Sequence, residues 1–155
     1  MNRLAAYTAN PSLQHYGSLK QILRYLNDMK SLGISYLAPK DWNNTENLFS
    51  GFANAVFMNA DNLKSIYGYI FLVAGEAVTW RSKKHNLIIL SSMKAEYIAL
   101  SKAVREACWL RNLYGELGFI QNSPSVIKGD NNGSIIMAQN TQFHHQSKHI
   151  AIHHH

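Results

Sequence analysis

The stretch from about Met93 to Leu117 constrains this chain most, because it reads as one long helix with a carboxylate inside its apolar stripe. Ser91 and Ser92 supply N-cap residues in front of it, and Gly118 closes it. With Glu96 at zero and 100° per residue, Ala99, Ala103, Ala107, Leu110, Tyr114 and Leu117 all fall within about 60°. Lys94, Arg105, Arg111 and Glu116 are expected outside that stripe, as solvated residues. Such a helix must lay its stripe against another layer, which carries Glu96 toward an apolar surface. An ionised carboxylate there is costly unless it is paired, protonated or bound to metal. A plainer account leaves Glu96 exposed in the first turn, complementing the helix dipole.

Strand patterns precede the long helix, and both kinds of element follow it. Pro11 and Ser12 open an earlier helix carrying Tyr16, Leu19, Ile22, Leu23 and Leu26 at three- and four-residue spacing, and Gly33 stops it. Ile34–Leu37 predicts a short strand, and residues 39–47 a loop. Strands are predicted at Leu48–Met58, Ile66–Val73, Ala77–Trp80 and Asn86–Leu90, with a turn at Ala74-Gly75-Glu76. After the long helix come a strand at Ser125–Lys128, a short helix at Asn131–Gln139 and a last strand at Lys148–Ile152. This order predicts an α/β or α+β fold, a sheet with helices packed against it.

A length of 155 residues suits one core, and 46% hydrophobic with 15% charged residues argues for a folded chain rather than a disordered one. The net charge of +6, with a pI near 9.5, makes an anionic partner the natural expectation, nucleic acid first. Cys108 is alone, which excludes an internal disulfide and a cysteine zinc site. No signal peptide or apolar span of bilayer length is visible, so the expectation is an intracellular chain, in cytoplasm or nucleus, with no membrane partner and monomeric.

A second acid joins Glu96. Asp130 follows a short apolar strand and precedes Asn131-Asn132-Gly133, the kind of strand end where ligands bind in α/β sheets. The same residues also make a good turn and N-cap. One carboxylate on a buried helix face and another at a strand end suggest a hard-cation site, for which Mg²⁺ is the fitting ion.

Five short motifs then occur in one order. They are Asn10-Pro11-Ser12 with Ile22-Leu23-Arg24-Tyr25-Leu26, Trp80-Arg81-Ser82-Lys83-Lys84, Leu90-Ser91-Ser92-Met93-Lys94-Ala95-Glu96-Tyr97, Gly129-Asp130-Asn131-Asn132-Gly133 and Ser147-Lys148-His149-Ile150. Together they resemble the RNase H domain of copia-type LTR retrotransposon polyproteins, with the connection that precedes it. The resemblance runs from about Asn2 to His155. It implies a helical connection segment over 1–47, from the reverse-transcriptase side. It also implies an RNase H-like domain over 48–155, cut short at its C-terminus, with a five-stranded mixed sheet flanked by helices. The implied chemistry is hydrolysis of the RNA strand of an RNA–DNA hybrid by two Mg²⁺ (or Mn²⁺) ions about 3.5–4 Å apart. The implied partners are that hybrid and the reverse-transcriptase portion of the parent polyprotein.

Carried over by position, the helix carboxylate is Glu96 and the strand-end carboxylate Asp130. The first-strand aspartate is replaced by Asn54, a second acidic position by Val56, and the C-terminal aspartate by Ala151. Asn54 keeps a carbonyl oxygen, which leaves weak coordination open. A charge pair at about 4 Å is worth roughly 4 kcal/mol at an effective dielectric of 20, so losing anions costs orders of magnitude in rate. The resemblance therefore implies a catalytically impaired copy, either decaying or kept for binding. Arg81, Lys83, Lys84, Lys148 and His149 are the candidates for phosphate contacts. The run His153-His154-His155 reads as native sequence rather than a tag remnant, His144, His145, His149 and that run form a His-rich end with adventitious metal affinity, and Trp80 and Trp109 are expected in the core.

Overall fold

The structure is a computed structural model that describes residues 2–5, 7–37, 48–57, 64–86 and 88–139. The chain divides into two compact units, Met1–Leu37 and Ala38–His155. The boundary expected after residue 47 adjoins residues 38–47, which lie outside the described residues. So do Lys148, His149 and Ala151, together with the terminal histidines and the strand expected at Lys148–Ile152.

The first unit contains α1 (Asn2–Ala5) and α2 (Leu13–Asp28). Helix α2 starts where Ser12 leaves helical geometry, and the Ser12 backbone N–H donates to His15 Nδ1 at 2.9 Å. His15 stacks on Tyr7 at 4.1 Å between ring centroids. None of the residues of α2 is buried, although Tyr16, Leu19, Leu23 and Leu26 recur at helical spacing. Ile34–Leu37 forms no strand, which corrects the expectation, and Ile34 and Leu37 stay exposed with no sheet to bury them.

The second unit is a mixed sheet with one long helix across it. Strands β1 (Phe49–Val56), β2 (Ile66–Val73), β3 (Glu76–Lys84) and β4 (Val126–Lys128) lie in the order β3-β2-β1-β4. β1 pairs antiparallel with β2, β2 antiparallel with β3, and β1 parallel with β4. Helix α3 (Ser92–Glu116) and the short α4 (Asn132–Gln139) complete the α+β fold. The hairpin between β2 and β3 turns through Ala74 and Gly75, both at positive φ, the geometry that suits the twist of the flanking strands.

The described sheet has four strands, not the five expected. Two physical reasons account for the difference on the described side. β3 continues past Trp80 to Lys84, because Ile66 to Gly68 of β2 pair with Lys84 to Ser82. The described residues of 86–90 then form no strand, since Ile89 turns inward to pack with Ala95 and Ile98 of α3.

Alternation along β1 and β2 decides which face is core. Phe49, Ala53, Tyr67, Tyr69, Phe71 and Val73 face α3, whose Ala99, Ala103, Ala107 and Leu110 meet them. The stripe read from the sequence is thus buried from Glu96 to Leu110, while Tyr114 is half-buried and Leu117, at the helix end, is exposed. Trp80 and Trp109 are 63% and 55% exposed, against expectation. Trp80 pairs with Ile70 on the sheet face away from α3, and Trp109 stands roughly 140° around the helix from Glu96.

Beyond α3, Arg111 fixes the path to β4. Its guanidinium donates to the carbonyls of Ser123 (2.8 Å) and Gln121 (2.7 Å) and to Ser125 Oγ (3.0 Å). That anchor sets β4 beside β1 and brings Asp130 to the end of the pair.

Gly51 is the position where β1 has no room for a side chain. It pairs with Phe71, and an added Cβ would run into the Phe71 ring, which is fully buried. Gly51→Ala is expected to destabilise the fold by about 1–3 kcal/mol, the usual penalty for overpacking a tight core. Urea unfolding measures it, and an unchanged midpoint would mean that the Phe71 ring has freedom it lacks here.

Candidate functional site

β4 is only three residues long, and its shortness creates the site. β1 and β4 run parallel, pairing Ser50–Phe52 with Val126–Lys128. Past Lys128 the chain leaves the sheet, so among the described residues β1 has no strand neighbour on that side over its last residues. The backbone N–H of Ala55 therefore needs another acceptor. Glu96 supplies it, with Oε2 at 2.9 Å from Ala55 N.

Helix α3 begins at Ser92, which places Glu96 in the second turn rather than the first. Glu96 is 9% exposed. The dipole account of this residue therefore gives way to the buried-carboxylate account. Burial pushes its carboxyl above the usual range, the Ala55 hydrogen bond pulls it down, and the charge of Asp130 raises it again.

Asp130 sits in the bend between β4 and α4. Asn131 Oδ1 accepts from the Ser134 backbone N–H at 2.9 Å, and its carbonyl accepts from Ser134 Oγ at 2.8 Å. Asn131 is thus the residue that caps α4, which frees the Asp130 carboxylate for the crevice. Asn54 Nδ2 donates to Asp130 Oδ2 at 3.3 Å. The crevice at the carboxyl ends of β1 and β4 brings together Asn54, Glu96 and Asp130, three residues far apart in sequence. It is the place where open sheets commonly bind ligands.

The remaining candidates divide. Val56 is 63% exposed on the face of β1 that Asn54 shares. Arg81 and Lys83 turn toward α3, opposite Tyr69 and Tyr67, whereas Lys84 lies on the other face. A cavity of about 450 Å³ opens beside Asn54 and Asp130, floored by Gly68 and bordered by Phe52, Ile70 and Lys128. Lys128 Nζ stands 5.4 Å from the centre of the Phe52 ring. Lys128 is a residue that reading the sequence missed. Its only sequence signal is a position two residues before Asp130.

The donor set does not fit a pair of divalent cations. Asn54 offers Asp130 a hydrogen-bond donor where a cation would need an acceptor, and one oxygen of Glu96 is committed to Ala55. Among the described residues, no three His, Cys, Asp or Glu side chains cluster as a metal site.

The class of protein follows from fold and crevice: an α+β domain with one carboxylate from a helix and one from the end of a strand beside a parallel strand pair. Comparisons narrow it. The chain is 30% identical over 153 residues to the retrovirus-related Pol polyprotein from transposon TNT 1-94 of Nicotiana tabacum, 98% of this chain and 11% of that protein. It is 35% identical over 156 residues to the corresponding polyprotein from transposon RE1 of Arabidopsis thaliana, all of this chain and 10% of that one. A secreted RxLR effector protein of Plasmopara viticola is 35% identical over 108 residues, 69% of this chain and 72% of that protein. No family model and no solved structure matches. The chain belongs to the retrovirus-related Pol polyproteins of copia-type transposons and spans about a tenth of the polyproteins it matches. No helix among the described residues is long and apolar enough to cross a membrane.

Two expectations follow from the crevice. Asn54→Asp replaces the Asn54–Asp130 hydrogen bond with like charges, so it should lower stability by about 1–2 kcal/mol without divalent cations. Melting with and without Mg²⁺ reads the effect, and the deficit should shrink when Mg²⁺ is added. A variant as stable as the parent in chelator would show that this hydrogen bond contributes nothing.

The Glu96 carboxyl titrates above its ordinary value, so the folded chain holds that proton more tightly than the unfolded chain. Its charge therefore lowers stability as pH rises from the unfolded pKa through the folded one, and the deficit is complete above both. Glu96→Gln keeps an acceptor for Ala55 N–H and removes the charge. It should melt higher than the parent at neutral pH, with the advantage gone below about pH 4. A lower melting temperature at neutral pH would mean that the charge is fully compensated in the fold.

Proposed function

We propose that this chain is the RNase H-like portion of a copia-type Pol polyprotein, impaired in hydrolysis and still able to bind nucleic acid. The observation that carries the reading is the Asn54–Asp130 hydrogen bond in the crevice where the resemblance expects paired carboxylates and metal. Glu96 and Asp130 keep the positions of two expected ligands, while Asn54, Val56 and Ala151 have lost the charge of others. An anionic cluster attracts two dications only if enough carboxylates face them. Here an amide satisfies one of the two remaining carboxylates directly.

Binding makes smaller demands. Phosphate contacts need cations on a stable surface and no metal. The net charge of +6 and the exposed Arg81 and Lys83 on an ordered strand support that part of the reading. Lys84, Lys148 and His149 belong to the same proposal on sequence grounds. The reverse-transcriptase part of a parent polyprotein is the protein partner that this reading implies.

The experiment is a cleavage assay on an RNA–DNA hybrid with Mg²⁺ and with Mn²⁺. The parent chain should show no cleavage, and Asn54→Asp with Ala151→Asp should gain it, tested also with a C-terminal extension from a relative. Asn54→Asp alone should restore more than Ala151→Asp alone. Metal-dependent cleavage by the parent, abolished by Glu96→Gln, would contradict the proposed impairment.

A further inference from the structure

The face of the sheet away from α3 carries the exposed aromatic residues of β1 and β3. The register sets Lys128, Phe52, Ile70 and Trp80 in one row across all four strands. Trp80 and Phe52 are exposed, and Ile70 between them is half-buried. The Lys128 ammonium stands over the Phe52 ring. In the neighbouring row Asn54 is aligned with Gly68. A Cβ at Gly68 would stand 3.2 Å from the Arg81 carbonyl oxygen, so the position stays open. The hollow of about 450 Å³ lies there, with Asn54 and Asp130 at its rim and Phe52, Lys128 and Arg81 on its border.

Charge decides what can cover this apolar row. The charged side chains that the register puts on this face are Lys84 and Lys128, in a chain of net charge +6. Asp130 enters only at the edge, where its carboxylate accepts a hydrogen bond from Asn54. Exposed rings beside cations suit a polyanion that has flat faces of its own, which is a nucleic acid. A duplex keeps the faces of its bases stacked on one another, out of reach of rings on a sheet. Unpaired bases present those faces freely.

We propose that this face of the sheet is a stacking platform for single-stranded nucleic acid, with Trp80 and Phe52 as the stacking residues and Lys128 as a phosphate contact. The proposal rests on the nucleic-acid-binding reading above and names the form of nucleic acid that this face takes. Three strand spacings separate Lys128 from Trp80, roughly 14 Å, which leaves room for a few unpaired nucleotides. The hollow over Gly68 gives a base or sugar depth beside the rings. At its rim the Asp130 carboxylate and the Asn54 amide oxygen are acceptors for base amino groups. Lys84 lies further along β3 on the same face, where it can meet the backbone of a longer strand. Stacking of this kind tolerates any base, because every base has a π-face.

The test titrates the full chain into a short fluorescent single strand of mixed sequence, and separately into an RNA–DNA hybrid, read by anisotropy. Trp80→Ala should weaken single-strand binding by about tenfold or more, the loss expected for one stacked base, and leave hybrid binding unchanged. Trp80→Tyr keeps a ring and should retain most of the affinity. Trp109→Ala removes an exposed indole from α3 and should leave single-strand binding as it is. Lys128→Gln should flatten the slope of log K against log salt by about 0.7 for the single strand. Melting temperatures matched to the parent keep the comparison among folded proteins, and Phe52→Leu carries the same test should Trp80→Ala fail to fold. No loss in Trp80→Ala, or an equal loss in Trp109→Ala, would overturn the platform, while intact hybrid binding would leave the reading beneath it standing. An equal loss for the hybrid in Trp80→Ala would overturn the single-strand assignment. A parent chain that binds neither probe in a salt-dependent way would remove the reading and the platform together. A parent dimer that is lost in Trp80→Ala would assign the face to a second copy and also overturn the proposal.

Discussion

The Glu96–Ala55 hydrogen bond is the contact around which this domain is arranged. It forms where β4 has stopped at Lys128 and, among the described residues, no strand neighbours the end of β1 on that side. One side chain then meets two needs: a sheet N–H gains an acceptor, and a buried carboxylate gains a donor. The stripe of small residues that follows, Ala99, Ala103 and Ala107, lets α3 lie close on Tyr67, Tyr69 and Phe71. Gly51 makes the matching allowance on β1, where Phe71 takes the space of its missing side chain. Helix position, strand length and carboxylate burial are therefore one constraint seen from three sides.

The same constraint explains why the crevice holds together with an amide at position 54. Two carboxylates that sense each other through Glu96 and Asp130 need compensation. A cation would supply it, and so does a neutral donor. Asn54 gives Asp130 that donor, and Ala55 gives one to Glu96. On the proposed reading, an amide at position 54 would take a ligand away from a metal site and at the same time give Asp130 a partner within the polypeptide.

Much of the fold was legible in the sequence, and particular residues show why the rest was not. Helical periodicity located Glu96 inside the buried stripe, because the angle between residues on one helix needs no tertiary information. Its partner could not be read, because a backbone N–H becomes unpaired only where a distant strand ends. Asp130 and Asn131 are equally good caps by composition, and the side-chain contact that separates them is three-dimensional. Trp109 illustrates a different failure: its angle on α3 already put it outside the stripe, and its residue type outweighed that angle. The run Asn86–Leu90 resembles a strand, yet its apolar Ile89 serves a small second cluster with Ala95 and Ile98.

The claim that protein groups, and not an ion, complete the crevice is most directly tested by a Mg²⁺ titration followed in ¹H–¹⁵N spectra. The two reporters are the Ala55 backbone amide and the Asn54 side-chain amide. Both should keep hydrogen-bonded shifts throughout, with no saturable, site-specific change as Mg²⁺ is added. A joint, saturating shift of both resonances would mean that a cation displaces these hydrogen bonds, and would contradict the account.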